Sequence, residues 1–273
     1  MKEMVKEDRF EFGKNWQRFL SVLNEERISE AEKSLKQMLE IDDLNGKSFL
    51  DIGSGSGLFS LAARRLGAKV QSFDYDPTSV ACTMELKRRY FPDGEDWAVE
   101  EGNVLDVNYL KSLGQFDIVY SWGVLHHTGA MWEALGNISG LNVKGGKLFI
   151  SIYNDQGNTS RRWRALKKFY NRSSKPIKLM IILGVGLMSQ TYAALVRLSQ
   201  RQNPLPFKAW AEKKENRGMS VWYDLVDWVG GYPFEVAKPE EVFDFYRKRG
   251  FELSRLKTCG GGLGCNEFVF IRK

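Results

Sequence analysis

The chain has only three cysteines, Cys82, Cys259 and Cys265, and only two histidines, the neighbours His126 and His127. No CxxC pair occurs, so neither a zinc site nor a disulfide framework is expected, and the cysteine usage suits a reducing compartment. Internal repeats and low-complexity tracts are missing, which sets solenoids aside. The opening residues, MKEMVKEDRFEF, are too charged for a secretory leader, so a cytoplasmic location is expected. The remaining composition is ordinary. With 43% hydrophobic and 27% charged residues, 273 positions suffice for one large domain with an insertion or two small ones. A net charge of +6 leaves two readings open, a solvated basic face or an anionic partner.

Residues 1–45 read as a charged helical cap, with Phe19, Leu20, Leu23, Ile28, Ala31, Leu35 and Leu39 at helical spacing. From Lys47 short apolar runs alternate with helical stripes: KSFLDIG, KVQSFDY, WAVEEGNV, FDIVYSW and KLFISIY read as strands. Such alternation calls for a parallel sheet covered on both faces, and right-handed crossovers make it doubly wound. The rhythm stops after Asn154 and resumes with PEEVFDFYRKRG, FELSRLKT and NEFVFIRK. The expected organisation is a cap (1–45), a core (46–155), a largely helical insertion (156–236) and a segment completing the sheet (237–273).

The stretch SFLDIGSGSGLFSLAARRLGAKVQSFDYDP looks at first like a dinucleotide fingerprint. A pyrophosphate loop wants its third glycine at position 58, but Leu58 stands there and Gly57 comes one place early. The amides at the following helix N-terminus would still favour a carboxylate or phosphate.

FLDIGSGSG resembles motif I of the class I S-adenosylmethionine-dependent methyltransferases, in which an acidic residue precedes a GxGxG loop. The resemblance is strong over about residues 46–155. It implies a seven-stranded, mostly parallel Rossmann-like α/β sheet and S-adenosyl-L-methionine as cofactor. It carries Asp51 onto the motif's acidic position and Gly53, Ser54 and Gly55 onto the loop at the methionine end. Asp74 in SFDYDP matches the carboxylate that accepts both ribose hydroxyls, and Tyr75 would lie against the adenine. Asn103 and Val104 in EEGNVLD match the adenine-binding motif, with Asn where the family often has Asp. Ser121 falls in the fourth-strand motif. FGKNWQRFL is similar to the N-terminal cap of small-molecule members, which puts Trp16 near the cofactor.

For a methyl group already activated on a sulfonium, holding a nucleophile in line can supply about 7–11 kcal/mol, and a base adds about 10²–10⁴-fold for hydroxyl or thiol acceptors. His127 is the first choice of base and His126 the second. The competing reading is that LHH opens a helix and its imidazoles satisfy backbone carbonyls. Tyr153 in SIYND is a further candidate for handling the acceptor. Trp122 replaces the Asn or Asp of an NPPY-type motif, which argues against base amines and glutamine amides as acceptors. No metal site is expected.

The insertion holds a basic run, RRWRALKKFYNRSSKPIK, and an apolar run over 179–196. Ser189, Gln190 and Thr191 interrupt the latter, so a membrane-spanning helix is not expected. Three readings stay open: a packed lid helix, a segment in peripheral membrane contact through 161–201, and Arg161, Arg162, Arg164, Lys167 and Lys168 on RNA phosphates. Asp224 and Asp227 would share a helix face. The sequence therefore predicts a methyltransferase acting on a small, hydrophobic or aromatic molecule, with nucleic acid not expected as partner. The alternatives are an RNA methyltransferase and a non-catalytic cofactor-binding scaffold at a membrane surface.

Overall fold

The computed structural model describes residues 10, 12–201, 203 and 221–273. The chain forms two compact units: one holds Glu11–Arg161 and Phe234–Lys273, the other Arg162–Pro233 with Phe10.

The larger unit is built on seven strands in the order β3-β2-β1-β4-β5-β7-β6. They are β1 (Ser48–Ile52), β2 (Lys69–Asp74), β3 (Trp97–Glu101), β4 (Phe116–Trp122), β5 (Asn142–Tyr153), β6 (Phe251–Lys257) and β7 (Cys265–Arg272). Strands β1 to β5 pair in parallel, and β7 runs antiparallel to both β5 and β6. This is the doubly wound, mostly parallel sheet that the alternating pattern predicts.

Successive strand residues feed opposite cores, as the two-residue side-chain period requires. Leu50, Val119, Leu148 and Ile150 face one side, where α5 (Val107–Leu113), α6 (Met131–Ile138) and α10 (Pro239–Arg247) cover them. Phe49, Ile118, Tyr120 and Phe149 face the other, beneath α2 (Glu25–Leu39), α3 (Leu58–Arg65) and α4 (Pro77–Tyr90). Helix α2 starts where the Asn24 side chain accepts the Arg27 amide, and Arg65 of α3 pairs with its Glu25 and Glu32. The short helix α1 (Gly13–Leu20) precedes them and packs on α4. Strand order reverses between β1 and β4, so the crevice at their C-terminal ends is where such a sheet takes ligands.

The smaller unit is helical where described: α7 (Asn158–Arg172, whose first four residues belong to the larger unit), α8 (Lys175–Ser199) and α9 (Val221–Gly230). Tyr170, Ile182 and Val229 centre its core, joined by Trp163, Val185, Leu225 and Trp228. Lys167 is fully buried there. Its ammonium donates to the Trp228 carbonyl and lies 4.4 Å from the Trp228 ring centroid. Burial pulls its pKa down to about 7 against the attraction of Asp227. The expected face shared by Asp224 and Asp227 lies partly outside the described residues, because the Asp224 side chain is not among them.

Helix α8 corrects the reading that Ser189, Gln190 and Thr191 interrupt the apolar run. It runs unbroken through Ser189–Thr191, and it is long and apolar enough to cross a membrane by length and composition. The hydroxyls do not interrupt it because Ser189 donates to the Gly186 carbonyl and Thr191 to the Leu187 carbonyl.

Phe149 sits in a central strand, fully buried, with the Tyr120 ring edge-on at 5.1 Å. Phe149→Ala should cost about 3–5 kcal/mol, measured as a shift in urea midpoint at constant slope. A loss below about 1 kcal/mol would mean that this side of the sheet is not close-packed.

Candidate active site

The turn after β1 is shaped by three glycines in the left-handed region: Gly53 (φ 76°), Gly55 (φ 57°) and Gly57 (φ 81°). A side chain at Gly57 would meet the Thr83 backbone of α4, and one at Gly53 would run into Val124. The loop is tied down by its own amides. Gly53 and Ser54 donate to the Phe73 carbonyl at 2.8 and 3.1 Å, and Gly57 donates to Ser54. Gly55 donates to Asp74 Oδ2 at 2.9 Å. The Ser54 hydroxyl shares a 2.9 Å hydrogen bond with Thr83.

These are amides of the loop itself, ahead of the first residue of α3. A phosphate cradle needs several amides aimed outward, whereas here those of Gly53, Ser54, Gly55 and Gly57 are engaged within the protein. The loop therefore suits a ligand without a pyrophosphate.

Asp74, at the end of β2, accepts Gly55 through one oxygen and the Asp76 amide through the other, at 2.9 Å each. A carboxylate is an acceptor-only group with two lone pairs on each oxygen, the chemistry that suits ligand hydroxyls. Asp76 caps α4 by accepting the Thr78 amide, and its second oxygen accepts the Gly13 amide at the start of α1. That contact brings α1 over the loop: the Trp16 indole lies 3.1 Å from where a Cβ on Gly55 would stand. Trp16, Gly55 and Asp74 are thus gathered at one place, with Tyr75 exposed beside them.

Asp51 takes a different position from the one implied for it. It is buried beneath the loop, and a relay of donors runs from Trp97 Nε1 to Ser72, Ser60 and finally its carboxyl, at 2.9, 2.8 and 2.5 Å. Burial pushes its pKa up to about 7, with the nearby Asp74 charge adding to the rise and Ser60 opposing it. It braces β1 and β2 from inside. Ser121 is likewise turned inward, fully buried and donating to the Ile52 carbonyl. Val104 is a core side chain. The Asn103 Oδ1 accepts the Leu105 amide, so its first duty is to hold the turn after β3.

Beyond β4, Gly123 (φ 76°) turns the chain into a short 3₁₀ segment over Leu125–His127. His126 is fully buried, and its Nδ1 accepts the Tyr153 amide at 3.4 Å. This is the backbone-satisfying role, here with an amide rather than a carbonyl as partner. His127 packs edge-on to Tyr153, with centroids 5.5 Å apart, and lies 5.0 Å from Phe12. Phe234 closes the group at 5.1 Å from Tyr153. Its neighbour Glu235 donates its amide to the His126 carbonyl, and its carboxylate accepts the Met131 amide. An aromatic and imidazole cluster thus forms at the ends of β4 and β5.

The sequence gives no signal for Val124 or Phe234, and the cap stretch that begins at Phe12 does not report its contact with His127, because these places depend on distant segments meeting. Among the described residues no group of three His, Cys, Asp or Glu could hold a metal ion.

A family model described as a methyltransferase domain matches residues 23–178, more than half of the chain. Among curated proteins, the ribosomal protein L11 methyltransferase of Prochlorococcus marinus is 40% identical over 82 residues, covering 30% of this chain and 27% of that protein. The tRNA U34 carboxymethyltransferase of Colwellia psychrerythraea is 34% identical over 110 residues, covering 40% and 33%. The chain thus spans about a third or less of these relatives' lengths. Among solved structures, magnesium protoporphyrin IX methyltransferase of Synechocystis, with bound SAH, aligns over 95% of both chains at 13% identity and a TM-score of 0.55. PKMT2 of Rickettsia typhi aligns over 89% of this chain and 52% of its own, at 14% identity and a TM-score of 0.58. Identities this low speak for the fold.

The Asp51 carboxyl gives a test with a definite sign. Its folded pKa of about 7 exceeds the ordinary value of 3.8, so between those pH values the folded protein holds a proton that the unfolded chain has lost. This group should therefore lower stability by about 1.4 kcal/mol per pH unit as pH rises through that window, and contribute no further change above it. Asp51→Asn should remove the decline in urea melts taken from about pH 4.5 to 7.5. An unchanged profile would mean that Asp51 is ionised throughout.

Proposed function

The chain belongs to the methyltransferase-domain family, of the class I S-adenosylmethionine-dependent type, and we propose that it methylates a small, hydrophobic or aromatic acceptor. The observation that carries this reading is the glycine loop with its amides engaged internally and the Asp74 carboxylate at its edge. Such a site offers acceptors for ribose hydroxyls and little for a pyrophosphate, which supports an adenosyl sulfonium over a dinucleotide. The aromatic cluster of Phe12, Tyr153 and Phe234 around the histidine pair supports an apolar, ring-containing acceptor.

When bound, S-adenosylmethionine supplies the activated methyl group, and the hard chemistry is the cofactor's. In this proposal Asp74 holds the sugar, Trp16 keeps the Gly55 turn covered, and Tyr75 offers a ring for the adenine. His127 takes the acceptor's proton, while His126 fixes the Tyr153 backbone and so positions the cluster. Asp51 supports the loop from below.

A nucleic-acid acceptor is the second reading, favoured by the curated tRNA-modifying relative and by the basic run beginning at Arg161. Methyl transfer to bulk tRNA, with binding that weakens steeply as salt rises, would support it over the small-molecule reading.

Titration calorimetry with S-adenosylhomocysteine tests the cofactor assignment. Asp74→Ala should weaken binding by about tenfold or more, in keeping with two lost charge-assisted hydrogen bonds. Affinity unchanged in a folded variant would contradict it. With any acceptor that is turned over, His127→Ala should lower kcat by about 10²–10⁴-fold and leave cofactor affinity within about twofold of the parent. A kcat within the same factor of the parent would remove His127 as the base.

A further inference from the structure

Between Arg161 and Arg201 the chain carries ten Lys and Arg residues and not one Asp or Glu. Outside it, 30 basic residues face 34 acidic ones, so the chain's net positive charge comes wholly from these 41 positions. Within the same segment, Leu179 to Val196 is free of charged residues. Helix α8 therefore combines an uncharged middle with basic surroundings.

Its exposed side is apolar too. Met180, Leu183, Leu187, Leu195 and Leu198 are all more than half exposed, with Leu187 at 72%. By the 100° step of a helix these five lie within one broad arc. A helix facing water would show its polar side there. The opposite side is covered: Ile182 is buried, and a side chain at Gly186 would touch Leu225 of α9. One face is thus held by the unit's own core and the other presents a row of leucine and methionine.

We propose that α8 lies in the interface of an anionic lipid bilayer, its exposed leucines and methionines among the acyl chains. Lys168, Lys175 and Arg201, all exposed, would meet lipid phosphates at either end. A surface-lying helix fits better than a spanning one. To span, α8 would have to leave the packing of Ile182, Tyr170 and Val229 and enter lipid on all sides. A self-association surface explains the apolar row but not the surrounding charge, since two copies would bring two basic segments together.

Co-sedimentation of the full chain with phosphatidylcholine vesicles, with and without phosphatidylglycerol, tests this. The wild type should pellet with the anionic vesicles, lose binding as salt rises, and be released by alkaline carbonate. Leu183→Glu/Leu187→Glu, at exposed positions, should reduce binding about tenfold or more with an unchanged circular dichroism spectrum and melting temperature. Lys168→Glu/Lys175→Glu should reduce it on anionic vesicles. No binding to either vesicle type, or equal binding to both, would overturn the proposal. So would retention after carbonate, which indicates a spanning helix. A stable dimer in sedimentation velocity that the leucine pair disrupts would assign the face to a second copy. Cofactor affinity is read separately by calorimetry, so failure here leaves the methyltransferase reading untouched.

Discussion

One carboxylate joins the parts of this site. Asp74 stands at the end of β2 and accepts an amide from each of two turns, Gly55 in the loop after β1 and Asp76 in the turn before α4. A charge-assisted hydrogen bond is about twice as strong as a neutral one, so a single side chain holds two backbone turns in register. Asp76 passes that order to α1 through the Gly13 amide, and α1 carries Trp16 over the glycine loop. Without Asp74, both the loop and its cover lose their common anchor.

Beneath this surface the same two strands are braced by a buried polar chain from Trp97 through Ser72 and Ser60 to Asp51. Two carboxyl groups near one another cannot both ionise cheaply. The buried one has its pKa raised, and the Asp74 charge is one of the causes. Asp51 and Asp74, read from the sequence as two cofactor contacts, thus occupy unlike environments. One sits inside the sheet as support, the other at its rim where a ligand can reach.

The fold was legible because short apolar-rich strand runs such as SFLDI and FDIVYSW alternate with helical stripes, the pattern of a parallel sheet covered on both faces. Local chemistry was legible as well in Pro77, whose fixed φ suits the first turn of α4. Sequence reading failed where distant segments meet. Phe12 reaches His127, Phe234 reaches Tyr153 and Val124 covers Gly53, all by tertiary packing that no spacing reports. Ser189 and Thr191 looked like breaks in α8, yet hydroxyls that bond back to their own turn leave a helix intact.

The proposed enzyme stands or falls on what Asp74 touches when the cofactor is bound. A crystal structure with S-adenosylhomocysteine measures this directly. The account predicts both ribose hydroxyls within hydrogen-bonding distance of the Asp74 carboxylate, with the glycine loop alongside the ligand. Ligand density away from the ends of β1 and β2, or a sugar that Asp74 does not contact, would contradict it.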